Sequence, residues 1–454
     1  MQSFRNELED LNNPIVAQDI IDLENKIKLF HDGKLDEDKF RSLRLARGVY
    51  GQRQPGVQMI RIKIPYGRLT TNQLLRISDV SDEFSTGKLH ATTRQDIQIH
   101  YVSLDRTPEL WAQLEKDQVT LREACGNTVR NITASAKAGV DPDEAFDVSP
   151  YAQATFEYLL RNPFCQEMGR KIKIAFSSSD ADTALTFIHD LGFIPRIKIV
   201  DGEEVRGFKV LIAGGLGAIP HFAEVASEFL EEDQLIPFTE AILRVFDRYG
   251  ERSKRQKARM KFLIKELGLD ALLELAKEEQ KALQHQRYKI DRNLVPKGQP
   301  APVQEFAPVE ITNQNQYKNW LATNVFEQKQ KGFYGVFIKL SLGNMNTKTA
   351  RKLVEITQKY AADDIRVTID QNYMLKFVRK EALPSLFLAL DALNLAIPGY
   401  DSFADITSCP GTDTCNLGIS SSTGNAVKLE ELIHNEFPEL IHDNQLKIKI
   451  SGCP

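Results

Sequence analysis

A repeat with a constant offset of 276 residues constrains this chain more than any other feature. Ile62-Lys63-Ile64 returns as Ile338-Lys339-Leu340, Gly67 as Gly343 and Thr71 as Thr347. Arg76-Ile77 returns as Lys352-Leu353, and Leu89, Thr92 and Gln95 return as Ile365, Thr368 and Gln371. Downstream, Lys171-Ile172-Lys173-Ile174 returns as Lys447-Ile448-Lys449-Ile450 at the same offset. Chance does not hold one offset from Ile62 to Ile174, and the period is far too long for a solenoid. The chain is therefore expected to contain a duplicated module, folded as two α+β halves about a pseudo-twofold axis.

Each copy opens as strand, helix, strand. Residues 58–64 are strand-like, 71–84 carry Leu74, Leu75, Ile77, Val80 and Phe84 at helical spacing, and 96–102 alternate as a strand. The second copy predicts the same at 334–340, 347–360 and 372–378. Four prolines between Pro296 and Pro308, with no apolar period, mark the linker between copies. Expected boundaries are an N-terminal arm over 1–55, a first half over 56–118 and a domain over 119–294. A linker over 295–310, a second half over 311–400 and a last segment over 401–454 follow.

A length of 454 residues exceeds a single core. The net charge of −4 argues against a polyanion-binding surface over the whole chain. The basic run from Arg252 to Lys261 has no interleaved aromatic platform, so no nucleic-acid partner is expected. Five cysteines, odd and sparse, disfavour a disulfide framework and fit a reducing compartment. The polar, acidic N-terminus is unlike a targeting peptide, and the apolar stretch Leu383–Ile397 is interrupted by Asp391. A cytoplasmic protein with no membrane span is expected.

The copies differ where chemistry would reside. Arg61 becomes Phe337, Arg94 becomes Asp370, and Ser177 becomes Cys453. One copy has specialised in positive charge and the other in metal ligation. Four motifs gather the cations: Met59-Ile60-Arg61-Ile62-Lys63, Thr92-Thr93-Arg94-Gln95, Asn127-Thr128-Val129-Arg130-Asn131 and Gly169-Arg170-Lys171-Ile172-Lys173. In a strand, residues i and i+2 share a face, so Arg61 projects with Lys63 and Lys171 with Lys173. Converging cations hold a small dianion or the carboxylates of a cofactor; a solvated strand face is the plainer reading for Lys171 and Lys173 alone. Gly214-Gly215-Leu216-Gly217 lacks the third glycine of a dinucleotide fingerprint and reads as a tight turn beside a ligand or helix.

Three cysteines stand in the last segment, in Cys409-Pro-Gly-Thr-Asp-Thr-Cys415 and in Ser-Gly-Cys453-Pro454. A thiolate pair followed by a distant thiolate suits an iron–sulfur cluster. The gap of five residues exceeds the usual spacing of structural zinc pairs. Three unrelated buried thiols and a zinc-stapled anion-binding protein are the alternatives.

Together these motifs, with Tyr50-Gly-Gln-Arg53-Gln, resemble the siroheme-containing sulfite and nitrite reductases from about Tyr50 to Pro454. The resemblance implies two ferredoxin-like halves plus α/β domains that bind siroheme and a [4Fe–4S] cluster. It implies six-electron reduction of sulfite to sulfide, or of nitrite to ammonia, with ferredoxin or a separate flavoprotein as electron donor. Arg61, Arg130, Lys171 and Lys173 match the family's anion-binding residues. Arg94, with Thr93 and Gln95 of its motif, Asn131, Arg170, Arg255, Arg259 and Lys261 fall to siroheme binding. Cys409, Cys415 and Cys453 match three cluster ligands. The fourth lies four residues after the third in the family and would fall beyond Pro454. Cluster assembly and axial ligation of the haem are thus expected to need residues past this end, the alternative being a non-catalytic fragment that folds its first copy. Some relatives join a tyrosine and a cysteine at positions matching Tyr50 and Cys125.

Overall fold

A computed structural model of the protein describes Leu8, Leu11 and residues 13–303 and 305–453. The first seven residues of the expected arm and the terminal Pro454 lie outside them. The chain divides into two units, Met1–Leu121 with Gly298–Pro454, and Arg122–Lys297.

The first unit holds both copies of the opening module. Thr71–Phe84 and Thr347–Tyr360 are helices, as their apolar spacing predicts. Each begins at a polar cap. Thr70 forms a capping box with Gln73, and the Asn346 side chain accepts from Thr349 N–H at 2.8 Å. Val57–Ile62 pairs antiparallel with Ile97–Ser103, and Phe333–Ile338 with Tyr373–Arg379. The two helices pack against each other, and Leu74, Ile77, Val80, Leu353 and Val354 share one apolar core.

The two sheets exchange strands. Lys88–Ala91, from the first copy, pairs with Asn344–Asn346 of the second. Ile365–Val367, from the second, pairs with Arg68–Leu69 of the first. Each copy thus lends its short strand after the 3-10 turn to the other's sheet. Two glutamines tie the exchange together. Gln95 Nε2 donates to Val367 O at 2.9 Å, and Gln371 Nε2 donates to Ala91 O at 3.2 Å. Donors and acceptors are both related by the 276-residue offset.

The exchange needs glycine at two points. Gly67 (φ +72°) and Gly343 (φ +69°) stand in the left-handed region, where an added Cβ would lie 2.3 Å from Val367 O and 2.6 Å from Ala91 O. Gly67→Ala is expected to cost about 2 kcal/mol or more, the left-handed penalty plus the clash. Urea unfolding should show the midpoint falling at constant m-value, and an unchanged midpoint would contradict the account.

The repeat continues past the halves. In the first unit Thr407–Ser408 pairs parallel with Lys449–Ile450, in register Thr407↔Lys449. In the second unit Thr133–Ala134 pairs parallel with Ile174–Phe176, in register Thr133↔Ala175. The separation of the partners is the same. A small apolar cluster of Leu342, Ala404, Ile406, Ala426, Ile433 and Ile441 lies under the first of these pairs.

The second unit carries a five-stranded sheet, ordered Glu224–Glu231, Glu203–Ile212, Leu191–Val200, Ile174–Phe176, Thr133–Ala134. Its pairings turn from antiparallel to parallel at Leu191–Val200. Phe176, Phe193 and Phe208 fill one face, with Phe176 and Phe193 stacked at 4.9 Å. Among the described residues, no helix is long and apolar enough to cross a membrane.

Candidate functional site

The thiol centre lies wholly in the first unit. The parallel pair Thr407–Ser408 and Lys449–Ile450 delivers Cys409 from one strand and Cys453 from the other. Cys409 N–H donates to Ile450 O at 3.2 Å, and Gly452 N–H donates to Cys409 Sγ at 3.2 Å. Cys415 returns through Cys415 N–H to Gly411 O, 3.0 Å. The loops meet through glycine. A Cβ on Gly418 would lie 2.5 Å from Gly411 C, and one on Gly452 would lie 2.7 Å from Gly411 Cα. The backbones pack too closely at these glycines to admit any side chain between them.

Burial pushes the Cys409 thiol up. Hydrogen bonds from Gly452 N–H and the Ser422 hydroxyl, with Gly411 and Ser451, outweigh it and hold the thiol below its ordinary value. None of the five cysteines is in a disulfide. Among the described residues, no three His, Cys, Asp or Glu side chains are grouped to hold a single metal ion. Thiolates are the usual ligands of iron–sulfur clusters, and three cysteines are the thiols these loops carry.

The motif at Tyr50 supports this loop. Arg53 N–H donates to Thr414 O at 2.8 Å, Arg53 Nη2 to Gly418 O at 3.0 Å, and Gln54 Nε2 to Asp413 O at 2.8 Å. The same unit holds Arg61. With its amide oxygen toward the guanidinium, Gln98 accepts from Arg61 Nη2 at 2.6 Å and Nε at 3.1 Å. The regular strand ends at Ile62, and Lys63, just beyond it, is only 3% exposed, its N–H bonded to Thr120 O. Arg94 and Gln95 are buried, while Thr93 is exposed.

The second unit assembles most of the cations. Val129 and Ile172 form a single parallel bridge, and Arg130 N–H donates to Ile172 O at 2.9 Å. The regular strand begins only at Ile174, so Lys171 and Lys173 stand on its approach, flanking the bridge. The Lys171 ammonium is held well below its ordinary value, first by burial, then by Lys173, Arg130, Arg170 and Arg259. Five cations in one place create a field that an anion would relieve. Asn131 is fully buried beside them.

Asp190 organises this cluster, and the sequence reading missed it. It accepts from Lys173 N–H at 2.8 Å and from Arg259 Nη2 at 2.8 Å. Lys261 Nζ donates to Leu216 O at 2.9 Å and also to Ile219 O, so it shapes the glycine-rich turn. Gly214 is required there, since a Cβ would lie 2.5 Å from Phe187 O. The turn leaves Leu216, Ile219 and Phe222 exposed on the unit that carries the cations. Arg255 is exposed, in a 3-10 turn. An apolar face on a cation-rich unit suits a large, flat, polycarboxylated ring.

Residues 125–283 match the nitrite and sulphite reductase 4Fe-4S domain. Residues 50–117 and 326–393 each match the nitrite/sulfite reductase ferredoxin-like half domain. The chain is 29% identical over 429 residues to the assimilatory ferredoxin-dependent nitrite reductase of Haloferax mediterranei, covering 89% of this chain and 70% of that protein. It is 24% identical over 467 residues to the sulfite reductase (ferredoxin) of Mycobacterium tuberculosis, covering 99% and 79%. It is 28% identical over 412 residues to the ferredoxin–nitrite reductase of Synechococcus elongatus, covering 88% and 74%. The structure of the Mycobacterium tuberculosis NirA protein shares the fold, with a TM-score of 0.77 at 23% identity over 93% of this chain and 76% of that one.

Proposed function

Since the chain belongs to the nitrite and sulphite reductase family, we propose that it works as a six-electron anion reductase, taking sulfite to sulfide or nitrite to ammonia. The observation that carries this reading is the cation cluster around Lys171, whose ammonium is held below its ordinary value by burial and then by the neighbouring charges. A site built this way awaits an anion.

The residues fit the family's two groups. Cys409, Cys415 and Cys453 would hold a [4Fe–4S] cluster. Asn131, Arg170, Arg255 and Arg259 of the second unit would face the carboxylates of siroheme, with Lys261 fixing the turn that meets its apolar face. When bound, these groups supply an iron that ligates the anion and electrons delivered one at a time.

The chain's own residues do the rest. Arg130, Lys171 and Lys173, all of the second unit, hold the anion by charge and N–H donors. Each oxygen leaving as water takes up protons, which the Lys171 and Lys173 ammonium groups carry at Nζ. Their positive charge also stabilises negative charge developing on the departing oxygen. Ferredoxin is the electron donor this reading favours, because relatives of both substrate types are named for it.

Two lysines favour sulfite, a dianion near neutral pH, over singly charged nitrite, because each close charge adds most to the doubly charged ligand. Lys173→Asn is therefore expected to lower kcat/KM for sulfite more than for nitrite. Steady-state rates with reduced methyl viologen would test this, on enzyme characterised for iron, acid-labile sulfide and a Soret band. Equal losses for both anions would sink the charge argument. Loss of neither activity's substrate selectivity matters if the loaded enzyme reduces neither anion, an outcome that would overturn the whole reading.

A further inference from the structure

Gln371 occupies an unusual position for a buried amide. It is 3% exposed, stands at φ +65°, and its side chain has four partners. Its oxygen accepts from Ser408 N–H at 2.9 Å. Its nitrogen approaches Ser408 O at 3.0 Å, Ala91 O at 3.2 Å and His90 Nε2 at 3.3 Å. The bond to Ala91 O is the mirrored tie described above. Beyond it, Gln371 holds both backbone groups of Ser408, its N–H and its C=O, and Ser408 immediately precedes Cys409.

The chemistry of these contacts fixes which way the amide faces. Ser408 N–H must meet the amide oxygen, so the NH2 end faces the other three groups. His90 Nε2 is then an acceptor, and the imidazole proton sits on Nδ1, which faces Asn344 Oδ1 at 3.1 Å. Burial and the nearby Arg61 charge lower the His90 pKa, with the Asn344 bond opposing, so the ring is neutral as this arrangement needs. Donation then runs one way, from Ser408 N–H beside Cys409 to Gln371, from Gln371 to His90 and from His90 to Asn344. Cys409 is held on its other side by Ile450 O and Gly452 N–H.

We propose that Gln371, oriented by His90, is a positioning residue that sets where the Cys409 thiolate stands and thereby the stability and electronic character of the cluster it ligates. This rests on Cys409 being a cluster ligand. Groups that orient a metal ligand are worth about 10- to 100-fold in metal retention.

The test compares cluster-loaded wild type with Gln371→Met, which keeps the buried volume and removes all four bonds. Iron release to an excess chelator and the EPR spectrum of the reduced cluster are measured, with thermal unfolding recorded alongside. Release about tenfold faster, together with a changed EPR lineshape, is expected. Wild-type release and lineshape in a folded variant would overturn the proposal even if its Tm falls, because a merely structural amide would move only Tm. If Gln371→Met does not fold, Gln371→Glu is measured instead; it keeps the acceptor for Ser408 N–H, and it must show the same two changes or the proposal fails. Wild-type protein devoid of both iron and acid-labile sulfide would overturn the cluster reading itself, and this proposal with it.

Discussion

Replacing Lys171 with methionine is expected to lower turnover of sulfite or nitrite by roughly a hundredfold or more, the scale of a lost proton donor. The fold should not suffer. Lys171 sits among Lys173, Arg130, Arg170 and Arg259, and removing its charge relieves that repulsion. A rate loss with an unchanged or raised Tm is the signature, and a rate within tenfold of wild type would reject the role. The pH profile carries a second sign. An ammonium held below its ordinary value loses its proton at lower pH than a free lysine, so the alkaline limb of kcat/KM lies lower than a free lysine would place it. Lys173→Asn removes one of these neighbouring charges and should shift that limb toward higher pH. A limb that stays in place would assign it to another group.

The largest expected loss of stability comes from Asp364→Asn. Asp364 is 3% exposed, Arg366 2% and Lys376 1%. Arg366 Nε lies 2.5 Å from Asp364 Oδ1, Lys376 Nζ 4.0 Å from Oδ2, and Arg68 Nε 3.6 Å from Oδ2. One carboxylate therefore balances three cations in a place with little water. Removing it leaves buried charge uncompensated, which costs about 3–5 kcal/mol. Burial alone would raise the Asp364 carboxyl, but Arg366, Lys376 and Arg68 outweigh it and hold it well below the usual range. A depressed folded pKa means the contribution is fully present above the unfolded value, about 4, and is lost as pH falls toward the folded one. Urea midpoints of wild type and variant should thus lie far apart at neutral pH and approach each other in acid. Parallel curves would show that the charge on Asp364 is not what stabilises the core.

Much of this was legible in the sequence, for a physical reason. A helix with a regular apolar stripe announces itself, and Thr71–Phe84 and Thr347–Tyr360 stand where their leucines and isoleucines place them. The offset between the copies then carried the fold. The exchanged strands Arg68–Leu69 and Asn344–Asn346 stayed hidden because two or three residues carry no period to read. Lys171 and Lys173 were legible as a pair, but a strand geometry was assumed for them where a single bridge suffices. Asp190 and Gln371 were invisible as supports. Asp190 works on Lys173 N–H and the Arg259 guanidinium, Gln371 on the backbone of Ser408 and Ala91, and no local pattern encodes such partners. The ion cluster of Asp364, Arg366 and Lys376 has no local signature either, since Arg68 joins it from the other copy.

That exchange also sets a clock on synthesis. The edge strand Lys88–Ala91 has no outer neighbour until Asn344–Asn346 leaves the ribosome, about 250 residues later. At about 5–20 residues per second, the first sheet waits roughly ten to fifty seconds with its edge open. Through that interval its unpaired N–H and C=O groups are available to any passing strand, including the same segment of a neighbouring nascent chain. The architecture that locks the finished halves together thus makes their newborn form dependent on shelter, and slower translation between the copies lengthens the exposure.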